Sequence, residues 1–108
     1  MAQIRLSLVV ATVLLAAGTG AANARVDCVE AVTGAVLHVN GNIYFTTDKT
    51  CPNWCQVNWG SSAANKNAFA MLLAAKTSAR QITFDWPYLA SCTEINTGGA
   101  SPDYMILN

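Results

Sequence analysis

Hydrophobic positions along the chain fall into three regimes. Leu6 to Ala17 is an apolar run preceded by Arg5 and followed by the small and polar residues Gly18 to Ala24. From Val26 to Trp59 apolar and polar residues alternate in short β-prone stretches. Val26 to Asn40 is the first, with Gly34 marking a bulge or sharp bend. Asn40-Gly41-Asn42 is a tight-turn signal, and Ile43 to Thr47 is its partner strand, so residues 35–47 read as a hairpin. Asp48-Lys49-Thr50 is a polar turn, Pro52 makes residues 51–54 irregular, and Cys55 to Trp59 is a third short strand. The period then changes. Ala64, Ala68, Leu72, Ala75 and Ala79 fall at helical spacing, joined by Phe69, Met71 and Leu73, which predicts one helix over 63–79 behind a capping serine. The opposite side carries Lys66, Asn67, Ala70, Ala74 and Thr77. Gln81 to Trp86 alternates strictly and Pro87 stops it. Ser91 to Asn96 is read as a fifth strand, and Asp103 to Leu107 as a closing one.

The first regime has the three-part layout of a secretory signal peptide, with cleavage expected after Ala24. The run is too short to span a bilayer, which takes about 20 residues. The expected mature molecule is therefore one domain, residues 25–108, in a periplasmic or secreted setting. Its positive residues are Arg25, Lys49, Lys66, Lys76 and Arg80; its negative ones are Asp27, Glu30, Asp48, Asp85, Glu94 and Asp103, for a net charge of −1. Nucleic acid is not an expected partner, because phosphates call for a basic face. No membrane insertion is expected after cleavage either.

A domain of this size has a marginal core and needs covalent staples. Cys28, Cys51, Cys55 and Cys92 are even in number and read as two disulfides. Of three connectivities, loop entropy favours long-range bridges, Cys51 with Cys92 and Cys28 with Cys55. A zinc site is the rival reading, but C-x-x-x-C is not the usual knuckle spacing. The same spacing argues against a redox-active dithiol.

Short strands with a helix between the third and fourth match an oligonucleotide/oligosaccharide-binding (OB) barrel of five to six strands. The element order, the cysteines and the run Ala68 to Trp86 resemble the small OB-fold B subunits of bacterial AB5 toxins, the subtilase-cytotoxin-like branch above all. Trp54-Cys55, Met71-Leu72-Leu73, Ile82 to Trp86, Cys92 and Ser101 to Met105 are similar to a family of short, uncharacterised proteobacterial exported proteins. The resemblance spans most of residues 33–107. It implies a glycan-binding, ring-forming subunit whose recognition residues lie largely near the mature N-terminus, where this chain offers only Arg25, Asp27 and Glu30, and in loops beside the barrel.

His38 is the only histidine, so a protease-like nucleophile pair has nowhere else to assemble. The carboxylates Asp85, Glu94 and Asp103 are candidates for a glycosidase-type acid/base pair, but the domain is small for a deep cleft and alternation points Asp85 toward solvent. The expectation is a non-enzymatic binding module without cofactor or metal; the alternative is a structural or protein-interaction domain. The aromatics are the candidate recognition groups, since flat rings stack on sugars and bases. Alternation puts Phe45, Phe84 and Trp59 inside. It leaves Tyr44, Trp54, Trp86 and Tyr88 as candidate ligand-binding residues, with glycan the favoured ligand. A pentamer would set five Lys66 side chains around one axis, and a monomer is favoured over that homo-oligomer.

Overall fold

A computed structural model describes residues 24–108; the leader assigned to residues 1–24 falls, but for Ala24, outside the described residues. Five strands and one helix follow in the order β1 (Val26–Leu37), β2 (Ile43–Thr47), β3 (Cys55–Val57), α1 (Ser62–Ser78), β4 (Gln81–Trp86) and β5 (Met105–Leu107). They form one antiparallel sheet, ordered β3-β2-β1-β4-β5, curled into a half-barrel.

The curl originates in β1. Residues 26–31 pair with β4, and residues 32–37 pair with β2. The register slips between Val32 and Gly34, as the sequence reading expected of Gly34. Before the bulge the inward side chains are Cys28, Glu30 and Val32; beyond it Ala35 takes the inward phase opposite Phe45. One extra residue thus bends the strand while keeping apolar groups on one side. A Cβ on Gly34 would lie 3.0 Å from Thr46 Oγ1, so this close approach needs glycine.

Ile43 and Phe45 of β2, Val57 of β3, and Ile82, Phe84 and Trp86 of β4 fill the concave side. Phe45, Phe84 and Trp86 stack nearly parallel, with centroids 5.3 and 5.4 Å apart between neighbours. The helix covers them through Ala68, Leu72 and Ala75. Ser61 caps it, its Oγ accepting the Ala64 N–H, and Ala79 ends it in the left-handed conformation. Lys66, Asn67, Ala70, Ala74 and Thr77 face solvent, but so does Leu73, which the helical spacing had grouped with the core.

β3 and β5 do not pair. The gap between them is bridged by the loop before β5: Gln56 N–H donates to Ala100 O (2.9 Å), Gly99 N–H to Trp54 O (2.9 Å), and Trp59 Nε1 to Pro102 O (2.7 Å). Ser91–Asn96 is not a strand. Both edges of β4 are already taken by β1 and β5, so this segment cannot pair with the strand it follows. It forms turns instead, tied down by Cys92 and by Asn96 N–H donating to Thr50 O (2.7 Å).

The disulfides pair Cys28 with Cys92 and Cys51 with Cys55, which corrects the expected connectivity. Loop entropy measures what a bridge removes from the unfolded chain, whereas the folded register decides which sulfurs meet. Phe45 stands opposite Cys55, and Thr47 N–H donates to Cys51 O, so the β2–β3 connection folds back on itself and brings Cys51 and Cys55 to a Cα separation of 6.0 Å. After β4 the chain returns across the start of β1 and brings Cys92 to within 5.6 Å of Cys28.

A carboxylate lies inside the barrel. Glu30 is wholly buried, and its two oxygens accept from Thr47 Oγ1 (2.5 Å), Thr50 N (2.7 Å), Thr50 Oγ1 (2.9 and 3.0 Å) and Trp86 Nε1 (2.8 Å). Each lone pair finds a neutral donor, so burial is compensated by hydrogen bonds alone.

Two expectations follow. Glu30→Ala strands the buried Thr50 N–H and Trp86 Nε1–H without an acceptor, at about 1–3 kcal/mol each. Urea unfolding is expected to show that loss, with Glu30→Gln intermediate; wild-type stability in both variants would contradict the network's role. In the loop-entropy relation, removing Cys28–Cys92 costs about 4 kcal/mol and removing Cys51–Cys55 about 2 kcal/mol. Paired Cys→Ala variants measured the same way check the order, and the reverse order would count against this pairing.

Candidate functional site

The four aromatics singled out as ligand-binding candidates divide between two surfaces and the core. Tyr44 and Trp54 meet on the convex face of the β1–β2–β3 half, where with Val36 they line a shallow apolar depression of about 380 Å³. Val36, Tyr44 and Gln56 stand in one cross-strand row, with Trp54 beside it. Trp54 is 48% exposed and yet fixed. Its carbonyl holds Gly99 N–H, its neighbour Cys55 is bridged to Cys51, and its ring lies over Gly34, where a Cβ would stand 3.8 Å from it. The Tyr44 hydroxyl accepts from Asn42 Nδ2 (3.2 Å), and the ring meets His38 edge-on.

Trp86 is not a surface residue. It is wholly buried, and its indole N–H is committed to Glu30. It shares inward parity with Ile82 and Phe84, a signal already present in the alternation of β4. Tyr88, by contrast, is 90% exposed on the turn after β4. It borders a cleft of about 630 Å³ whose other walls include Asn96, Gly98, Gly99 and Asp103. Sequence reasoning missed a third depression of about 550 Å³, between the β1–β2 turn and the start of α1, lined by Asn40, Asn42, Asn58, Ser61 and Lys66. Its asparagines are scattered along the chain, and no spacing groups them.

Asp85 and Asp103 come together, but around a cation. Asp85 is 2% exposed rather than directed into solvent. Its outward parity is real, yet Arg25 lies over it, with Nε 3.3 and 3.2 Å from its two oxygens and Nη2 2.9 Å from Oδ2. The segment entering β5 completes the cover, through Asp103 N–H to Asp85 O and Asp85 N–H to Tyr104 O. Arg25 also pairs with Asp103, and Tyr104 donates its hydroxyl to Asp27 (2.7 Å). Glu94 is elsewhere, accepting the Ala90 N–H. Of the residues at the expected mature N-terminus, Glu30 is core and Arg25 and Asp27 belong to this cluster.

Burial raises the Asp85 carboxyl above its ordinary value, aided by the hydrogen-bonded Asp27 carboxylate across the strand pair and opposed by Arg25. Asp103 holds the Arg25 guanidinium charged above its usual value, and Asp27 raises the Tyr104 phenol. His38 sits in the β1–β2 turn, where Nδ1 accepts the Asn40 N–H (3.2 Å). All four cysteine sulfurs are bonded, in two pairs. Among the described residues no three His, Cys, Asp or Glu side chains are grouped to hold a metal ion, and no helix is long and apolar enough to cross a membrane.

Comparison with family models, curated proteins and solved structures finds no match to the chain.

The Asp85 shift has a definite sign. A carboxyl raised on folding binds its proton more tightly in the native state, so its stabilising contribution is full below the unfolded value near 3.8 and is lost as pH rises through the higher folded value. Stability of wild type relative to Asp85→Asn is therefore expected to decline as pH climbs from about 3.8. Thermal melts of both proteins across the acid range check it; parallel profiles would remove the claim.

Proposed function

We propose that the protein is an exported, non-enzymatic binding module built on an OB-type barrel, acting as a monomer and recognising glycan through the Tyr44–Trp54 surface. The observation that carries the reading is Trp54. A half-exposed indole is held against a glycine, a disulfide-bridged neighbour and a loop N–H, beside a second half-exposed ring. Exposed apolar groups that adjoin, as Val36, Tyr44 and Trp54 do, suit an interaction surface, and rings that are rigid before binding lose little entropy on contact. The near-neutral charge of the domain favours sugars over nucleic acid as the ring-stacking ligand. Asn42, Gln56 and His38 stand around the rings and supply donors and acceptors for hydroxyls. Two disulfides fit an oxidising compartment.

The depression between the rings is lined by apolar groups, which also suits a protein partner, and a protein-interaction domain is the second reading. A glycan array probed with the oxidised protein separates the two. Binding that falls about tenfold, or ~1.4 kcal/mol, in Trp54→Ala and in Tyr44→Ala supports the glycan reading. An empty array, with a stoichiometric envelope protein captured by wild type but not by Trp54→Ala, replaces it with the second reading.

A further inference from the structure

The cleft beside Tyr88 lies apart from the Tyr44–Trp54 depression and shares no lining residue with it. Three of its features belong together. The first is Tyr88 itself. Pro87 is half-buried and Leu89 is buried, so the turn is anchored on both sides while the phenol ring is left almost wholly in solvent. Nothing in the packing of the domain requires a ring there.

The second feature is Asn96, which is 7% exposed and lines the cleft. Its orientation follows from the Glu30 network. The Thr50 hydroxyl gives its proton to Glu30, so it accepts from Asn96, and the amide must turn its NH₂ toward Thr50 (3.1 Å). The Oδ1 arm then points away from that network, and no donor among the described residues reaches it. Asn96 lines the cleft with its NH₂ already committed, so its amide oxygen is the group left to accept from a ligand hydroxyl.

The third feature is Gly98-Gly99, which also lines the cleft. A Cβ on either would meet no atom within 4 Å, so the absent side chains leave open space. Asp103 stands at the rim with its side chain about half exposed.

We propose that this cleft is a second sugar subsite, taking an uncharged or amino-bearing pyranose ring that stacks on Tyr88 and donates hydroxyl hydrogen bonds to Asn96 Oδ1 and Asp103. Both protein groups are acceptors, so the ligand must donate. Asp27, Asp85 and Asp103 gather around the single cation Arg25, which sets the rim against an acidic sugar. The subsite is separate from the Tyr44–Trp54 depression, since the two share no lining residue, although Gly99 of this cleft also ties down the Trp54 carbonyl.

Titration of the oxidised protein, followed by amide chemical shifts, tests it with glucose, galactose, mannose, N-acetylglucosamine, glucosamine and glucuronic acid. At least one neutral or amino sugar is expected to shift residues 96–99, and glucuronic acid to bind at least about tenfold more weakly. Tyr88→Ala and Gly98→Leu are each expected to weaken that titration by about tenfold or more while leaving the melting temperature unchanged. Gly98 suits the purpose because its φ is not left-handed and leucine enters open space. Trp54→Ala is expected to leave the titration of residues 96–99 intact. The proposal is overturned if none of the neutral or amino sugars shifts these residues, if Gly98→Leu binds like wild type, or if glucuronic acid binds as tightly as the neutral sugars.

Discussion

Both halves of this small sheet hang from one strand, and the bend in that strand governs everything built around it. Without the extra residue at Thr33–Gly34, β1 would present one parity along its length, and Cys28, Glu30 and Val32 would share a face with Gly34 and Val36. The slip lets the first half of β1 close on β4 and the second half on β2 with apolar groups inward throughout. It also brings Thr33 and Thr46 together, their hydroxyls 2.7 Å apart, and leaves the glycine over which Trp54 lies. The same irregularity that curls the core therefore makes the seat for an exposed indole on the opposite face.

Glu30 sits just ahead of that bend. A chain this short has few large aliphatics to spend on the interior, and the end of its core is closed by polar groups instead. The carboxylate draws on the end of β2, the turn after it and the end of β4, three segments that share no ladder with one another. Replacing such a network by apolar groups of similar shape is often neutral, so its presence argues for fixed geometry rather than for extra stability. That geometry reaches outward, because Thr50 passes the constraint to Asn96 and so to the wall of the Tyr88 cleft.

How much of this was legible in the sequence depends on whether the deciding contact is local. The β1–β2 hairpin, the bulge at Gly34, the helix and β4 follow from periodicity and turn chemistry, and the structure agrees with them. Parity within β4 also contained the burial of Trp86, since it stands two residues beyond Phe84. Parity in β1 likewise contained the burial of Glu30, which charge alone assigns to solvent. Asp85 was beyond reach. Its outward parity is correct, and only Arg25 and the distant segment at 103–104 bury it. Ser91–Asn96 fails as a strand for a similar reason, because the occupancy of β4's two edges is a property of the whole sheet. Tyr44 and Trp54 are candidates by composition alone, and alternation could not show that they meet beside the small-loop disulfide that chain entropy ranks last.

That disulfide shows why a reward measured in the unfolded chain is a poor guide to placement. Cys51–Cys55 constrains few residues, yet it fixes the residue before Cys55, and Trp54 is that residue. Gly99 N–H then ties the Trp54 carbonyl to the loop that fills the gap between β3 and β5. Gly99 occupies the left-handed region at φ +83°, so a side chain there would strain the loop even though it would clash with nothing. One face of the loop supports the Trp54 surface, and the other forms a wall of the Tyr88 cleft. The segment that completes an unclosed barrel is therefore the segment both candidate recognition surfaces share, and its two glycines leave open space where side chains would otherwise stand.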